Sequence, residues 1–544
     1  MIARMANENE NSGVNRRHFL ELAALGSALA LANPRAAVAQ TGAATSPELE
    51  EITITELQEA MKSGRWTARG IAQSYLGRID TLDKNGPTLN SIIELNPDAL
   101  AIADAMDRER KAGHVRGPLH GIPIVIKDNI DTADRMRTSA GSLALAENIA
   151  ARDAFIVARL REAGAVILGK TNLSEWANFR STHSTSGWSG RGGLTKNPFV
   201  LDRNACGSSS GTGTAVSANL AAIGIGTETD GSVVCPSSAS GLVGIKPTLG
   251  LISRAGIIPI AHSQDTSGPM ARTVRDAVIL LGILTGADER DPITTSSRSK
   301  GHADYTRFLD PDGLKGARIG VARQYFGFND ATDRVMKNAI AVIKSLGATI
   351  VDPANIATNG KFDATENDVL QYEFKADINK YLAAAPSAVK ARTLADLIKF
   401  NEEHRAEEMP YFGQEIFEQS EKRGPLTEKK YRDALAKNHR LARTEGIDAT
   451  MKKHKLDAII APTGGPVWAT DLVNGDHFTG GYSSASAVAG YPHITVPAGL
   501  AFGLPVGLSF FAGAWSEPSL IKYAYAFEQA SKARQKPKFL ATAI

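Results

Sequence analysis

Apolar and polar positions along this chain change period from segment to segment, and each change predicts an element. Over 57–79 the apolar residues recur at helical spacing on either side of Gly64, which predicts an amphipathic helical hairpin. A charged surface helix is predicted over 96–112, stopping near Gly113. Ile122-Pro123-Ile124-Val125-Ile126 is different: a short β-branched run bounded by Gly121 and by Lys127-Asp128-Asn129, which predicts a buried strand with Lys127 at its end. A helix over 153–163, a stop at Gly164 and a strand over 166–168 complete a β–α–β unit. The rhythm returns with a strand at 319–321, a helix at 331–346 and a strand at 349–351, and late strands are predicted at 456–460, 493–496 and 506–511. Such alternation predicts an α/β fold: a single layered domain whose large mixed, mostly parallel twisted sheet is covered by helices on both faces. Residues 285–310 and 352–440 are rich in charge and poor in strand-like runs. They predict a surface loop and a helical excursion over the core, the kind of addition that shapes access to a site.

The first 39 residues fall outside that domain. Arg16 and Arg17 stand directly before an apolar stretch, 19–32, and Ala37-Val38-Ala39 follows it, the order expected of a twin-arginine export signal with cleavage after Ala39. At 14 residues, interrupted by Glu21, the stretch is too short to cross a bilayer, which takes ~20. The expectation is a periplasmic or secreted protein, residues 40–544, with no membrane span.

Composition narrows the chemistry. The 544 residues carry 61 Lys and Arg against 58 Asp and Glu, a formal charge of +3, and loss of 1–39 leaves +2. Basic residues are scattered, so a nucleic-acid partner is not expected. Two cysteines, Cys206 and Cys235, are too few for a cysteine zinc site, a cluster or a disulfide scaffold; their redox state is open, and the ordinary reading is a buried structural thiol. No H-E-x-x-H pair occurs, and neither metal nor other cofactor is expected. Oligomeric state leaves no mark on the sequence.

The most unusual composition lies between Asn204 and Pro247: Cys206-Gly207-Ser208-Ser209-Ser210-Gly211-Thr212-Gly213, a small-residue helix, then Gly224-Ile225-Gly226-Thr227-Glu228-Thr229-Asp230-Gly231-Ser232. Ordered apolar positions at Val216, Leu220, Ile223 and Ile225 argue against a solvated linker. The segment offers hydroxyls and backbone N–H groups where chains can approach closely. A serine needs a base to attack a carbonyl, and no histidine stands nearby in sequence. Lys127 is the available titratable group, since burial at a strand end would leave part of it as neutral amine; a salt-bridge partner is the plainer alternative. Two other matches are decoys. Gly207 to Gly211 satisfies G-x-S-x-G with Ser209 as nucleophile, but a polar loop precedes it instead of a strand; Ser519 and Lys522 satisfy S-x-x-K on a helical stretch without the companion motifs.

These residues resemble the amidase signature family. Gly207 to Gly211, Gly226 to Ser232 and Gly244-Ile245-Lys246-Pro247-Thr248 are similar to its serine-glycine signature; Gly117 to Pro123 running into Lys127-Asp128, and Gly169-Lys170-Thr171-Asn172 with Glu175, look like its earlier blocks. Within the family the likeness is to bacterial peptide amidases, through Ser174-Glu175-Trp176-Ala177-Asn178-Phe179-Arg180, Cys206 and Thr229 to Pro236. The resemblance implies an amide hydrolase with a Ser–Ser–Lys triad: Ser232 the nucleophile, Ser208 a bridging serine in a cis peptide, and Lys127 the base. It implies an oxyanion hole from the backbone N–H groups of Thr229, Asp230, Gly231 and Ser232, an acyl-enzyme intermediate, and no cofactor. The expected substrate is a small-molecule or peptide amide, with ammonia released from C-terminal peptide amides. A broad-specificity amidase, an aryl acylamidase, a carbamate hydrolase and a glutaminase subunit of an aminoacyl-tRNA amidotransferase are the alternatives, together with a non-catalytic binding protein and an esterase using Ser209. Trp176, Phe179, Trp188 and Trp468 are candidates for an apolar substrate wall, or for ordinary core.

Overall fold

A computed structural model of the protein describes residues 48–543. The export signal expected at 1–39 lies outside the described residues. The first hairpin forms where its period predicts it, as helices Ile54–Lys62 and Ala68–Arg78 on either side of Gly64. Thr53 opens the first of them with a capping box to Glu56, and the Thr67 side chain accepts from the Gly70 N–H at the second.

The centre of the molecule is an 11-stranded sheet. Its strands in chain order are β1 (Ile92–Leu95), β2 (Pro123–Lys127) and β3 (Val166–Thr171), followed after a separate two-stranded ribbon, β4 (Trp188–Ser189) and β5 (Gly193–Leu194), by β6 (Ile223–Glu228). The remainder are β7 (Val243–Lys246), β8 (Thr266–Ala271), β9 (Arg318–Val321), β10 (Thr349–Val351), β11 (Ala458–Pro462), β12 (His493–Ala501) and β13 (Leu504–Phe511). Across the sheet they run β1-β3-β2-β6-β8-β7-β12-β13-β11-β9-β10. Every residue of β2, β3 and β6 is buried, as a strand covered on both faces requires.

The mixed sheet with flanking helices is as expected, but its predominant direction is not. The two β–α–β units legible in the sequence do pair in parallel, β2 with β3 and β9 with β10, and so do β2 with β6 and β9 with β11. The other six pairings are antiparallel, five of them consecutive through the middle of the sheet and the sixth joining β1 to β3 at its edge. The reason is local: β12 and β13 form a hairpin joined by Phe502 and Gly503, both at positive φ, as a type I′ turn requires. Short β-branched runs do not reveal strand direction.

The glycine- and serine-rich segment becomes the buried helix Ser210–Ser217 beneath the sheet. Small residues are needed because backbone passes over backbone: a Cβ on Gly211 would lie 2.4 Å from the carbonyl oxygens of both Ser91 and Asn172. Its hydroxyls are spent on backbone carbonyls, Thr212 on Ile225, Thr214 on Lys196 and Ser217 on Ser240. The excursion at 352–440 is helical, with Asp363–Ala383, Leu394–Glu403, Glu415–Glu421 and Lys429–His439 as its longer helices. It docks through Phe374 and Phe417 against Trp176 and Phe179, with edge-on ring contacts at 5.6 Å and 5.2 Å.

Cys206 and Cys235 are not the free thiols of the ordinary reading. They form a disulfide across 29 residues of sequence, which ties the loop before Ser208 to the helix after Ser232. Closing a loop of that length is worth roughly 3–4 kcal/mol by chain entropy. A Cys206→Ser/Cys235→Ser double variant is therefore expected to unfold several degrees below the parent in calorimetry, with reductant lowering the parent's Tm and leaving the variant's unchanged.

Candidate active site

β2 carries Lys127 to its end, where the side chain is wholly buried between β3 and β6. Its ammonium nitrogen lies 2.7 Å from Ser208 Oγ, 3.0 Å from Thr227 Oγ1 and 3.2 Å from the Thr227 carbonyl oxygen. No carboxylate pairs with it among the described residues. Burial therefore dominates, and it lowers the Lys127 pKa to about 7, with only partial opposition from the negative charges of Glu228 and Asp265. An amine in this state is divided between its neutral and charged forms near neutral pH.

Ser208 follows a cis Gly207–Ser208 peptide. Its carbonyl oxygen accepts the Ser174 N–H at 3.1 Å, and the next residue, Ser209, donates its N–H to the Ser232 carbonyl at 3.2 Å. Two serine-bearing loops are thereby stitched together. The Ser232 side chain makes no hydrogen bond among the described residues, and Ser232 keeps 8% of its surface exposed. Ser209 is placed differently: it is fully buried, and its hydroxyl bonds the Thr227 backbone at 3.1 Å and 3.2 Å. No histidine bonds any of these serines among the described residues, so the esterase arrangement around Ser209 lacks its base.

Between β6 and the helix Val234–Ala239 runs the turn Thr229-Asp230-Gly231-Ser232. Gly231 sits at φ +78°, where a larger residue would be strained, and Ser483 Oγ lies a tight 3.2 Å from where a Cβ would stand. The backbone N–H groups of Thr229, Asp230, Gly231 and Ser232 find no acceptor among the described residues, whereas those of Val233 and Val234 are taken by Glu228 Oε2 at 2.8 Å and 3.1 Å. Four free donors on one turn form a place where negative charge can develop.

Sequence reading missed the partners that hold this turn. Thr229 donates its hydroxyl to Asp265 Oδ1 at 2.6 Å, and Asp265 also accepts the N–H groups of Ile260 and Ala261. Burial raises the Asp265 pKa to about 6, its hydrogen bond from Thr229 pulling the other way. Gln264 donates to the Thr229 carbonyl at 3.3 Å, and Ser484 to Asp230 Oδ2 at 2.6 Å. Asn129 fixes the Thr227 hydroxyl at 2.9 Å. Thr227 lay within the glycine-serine block; Gln264, Asp265 and Ser484 lie far away in sequence with no motif to point to them.

A cavity of about 480 Å³ opens against Thr227 and Thr229, lined on its apolar side by Ala177, Ile258 and Ile260. The aromatic candidates fall elsewhere. Trp176 and Phe179 are packed in the apolar cluster under the helical excursion, and Trp188 packs edge-on against Tyr411 and Phe412 with the Arg180 guanidinium over its ring. Trp468 lines a second cavity, of about 570 Å³, and bonds Asp476 through its ring N–H at 3.2 Å. The structure thus brings Lys127 and Ser208 into contact and joins the Ser208 and Ser232 loops, but does not gather the four aromatic residues into one wall.

The amidase family model matches residues 71–521 of the chain. The native peptide amidase from Stenotrophomonas maltophilia superposes with a TM-score of 0.85 at 48% identity, covering 90% of this chain and 99% of that one. A probable amidase of Arabidopsis thaliana is 42% identical over 502 residues, 91% of this chain and 92% of its own. A glutamyl-tRNA(Gln) amidotransferase subunit from Thermoanaerobacter pseudethanolicus is 34% identical over 502 residues, 90% of this chain and 99% of its own. This chain therefore belongs to the amidase family and is a hydrolase of amide C–N bonds.

Proposed function

We propose that the protein hydrolyses the C-terminal carboxamide of peptides, releasing ammonia, by a Ser232–Ser208–Lys127 relay. The observation that carries the relay is the 2.7 Å contact between a buried, unpaired lysine nitrogen and Ser208 Oγ. Neutral Lys127 takes a proton from Ser208, Ser208 takes one from Ser232, and the Ser232 oxygen adds to the amide carbon. The carbonyl oxygen becomes an oxyanion received by the free N–H groups of the 229–232 turn, each donor contributing on the order of 2.7–4 kcal/mol of transition-state stabilisation. Collapse breaks the C–N bond as the protonated lysine, through Ser208, returns a proton to the leaving nitrogen. Water then cleaves the Ser232 ester by the same route, regenerating the enzyme with a free carboxylic acid as product.

The likeness to a peptide amidase at 48% identity supports the substrate class. Export by the twin-arginine route belongs to the same proposal, and the Cys206–Cys235 disulfide agrees with it, since such bonds persist in oxidising compartments. The amidotransferase likeness at 34% identity carries a second reading, glutamine hydrolysis. An ammonia-release screen over amidated peptides, free carboxamides, anilides and glutamine separates the two: amidated peptides are expected to give the highest kcat/KM, and a preference for free glutamine would reverse the assignment.

Ser232→Ala is expected to abolish acyl-enzyme formation and Lys127→Ala to lower kcat by on the order of 10³-fold or more with the fold retained. Ser209→Ala should still form the acyl-enzyme, as read by mass spectrometry of a trapped intermediate. Because the neutral lysine is the reactive form, kcat/KM should climb with pH through about 7 and level off above it. A profile flat from pH 5.5 to 9 would remove Lys127 from the role of base.

A further inference from the structure

Asp230 is both a member of the proposed oxyanion turn and a buried carboxylate, and its two oxygens are treated differently. Oδ2 accepts the Ser484 hydroxyl at 2.6 Å. Oδ1 is buried with no donor among the described residues. Another carboxyl, Glu366, from the first long helix of the excursion, Asp363–Ala383, stands against Asp230. Glu366 is 8% exposed, and its Oε1 accepts from Gln264 Nε2 at 2.9 Å. That same Gln264 nitrogen donates to the Thr229 carbonyl at 3.3 Å.

Two carboxyls in contact in a buried setting cannot both be ionised without severe repulsion, and an ionised pair would leave Oδ1 without a donor. One proton resolves both difficulties. If it resides on Glu366, the carboxyl donates to Asp230 Oδ1 and still accepts from Gln264, and each of these polar groups is satisfied. Burial acts in the same direction, raising the Glu366 pKa well above the usual carboxylate range, with the charge of Asp230 adding to it. Burial raises the Asp230 pKa too, but there the Ser484 hydroxyl, donating to Oδ2 at 2.6 Å, and the nearby Lys246 ammonium pull the other way and favour the charged form.

We infer that Glu366 is a positioning residue for amide hydrolysis: as a neutral acid it donates to Asp230 and, through Gln264, restrains Thr229, locking the oxyanion turn to the helical excursion. The inference rests on the proposed role of that turn. Glu366 touches no reacting atom. Its effect is exerted through the backbone on which the 229–232 N–H groups are mounted, so it bears on the transition state and not on substrate affinity.

Glutamine in place of Glu366 keeps the shape, supplies an N–H to Asp230 Oδ1 and keeps an oxygen for Gln264; alanine removes all three. Glu366→Ala is expected to lower kcat on an amidated peptide by on the order of 10- to 100-fold with KM changed by less than about threefold, the scale of a displaced oxyanion donor. Glu366→Gln is expected to recover kcat to within about threefold of the parent. Calorimetry of both variants, with Ser232→Ala as a reference, completes the experiment. If Ser232→Ala is inactive but Glu366→Ala keeps the parent's kcat, the inference fails while the proposed reaction stands; if Glu366→Gln is as impaired as Glu366→Ala although both fold, the neutral-acid role fails. If Ser232→Ala is itself active, the reading of the turn fails, and this inference with it.

Discussion

A lysine amine held out of water without a counter-ion is the constraint on which the rest of this structure depends. In solution such an amine is charged and inert as a base. Here β2 ends inside the sheet, β3 and β6 cover it on either side, and the polar atoms within reach of Lys127 are two hydroxyls and a carbonyl. Pairing the amine with a carboxylate would have made the burial easier and the chemistry impossible, because the ion pair would favour the charged form. The surrounding small residues follow from the same demand: backbone carrying little side chain brings Ser208 and Thr227 this near to one nitrogen.

The turn illustrates a second requirement, that donors be left free without being left loose. Its N–H groups have no acceptor among the described residues, yet three of its other polar groups are tied: the Thr229 hydroxyl to Asp265, its carbonyl to Gln264, and Asp230 Oδ2 to Ser484. Gly231 supplies the positive φ that turns the chain back over itself. Rigid donors are worth more than mobile ones because their orientation is settled before charge develops. The disulfide contributes at longer range, joining the stretch just before Ser208 to the helix just after Ser232.

Much of this was legible in the sequence, for physical reasons that differ from element to element. Strong periodicity located the hairpin helices and β2, and the run of glycines and serines marked the segment where chains cross closely. The direction of the central strands was not legible, because an antiparallel hairpin such as β12–β13 and a parallel unit such as β2–β3 are built from the same short β-branched runs. Asp265, Gln264 and Glu366 were invisible for another reason: each is an ordinary polar residue in its own segment, and only the fold gives it a partner 36, 35 or 136 positions away. Trp176 and Phe179 stand beside family-like residues, yet their rings are spent on docking Phe374 and Phe417.

The most direct measurement of the central claim is the ionisation of Lys127 itself, followed by NMR of protein carrying ¹³C at the lysine ε position, with the Lys127→Ala variant identifying the signal. The account predicts that the lysine resonance missing from the variant titrates near pH 7. A Lys127 resonance that titrates with the exposed lysines, near their ordinary value of about 10.4, would contradict it.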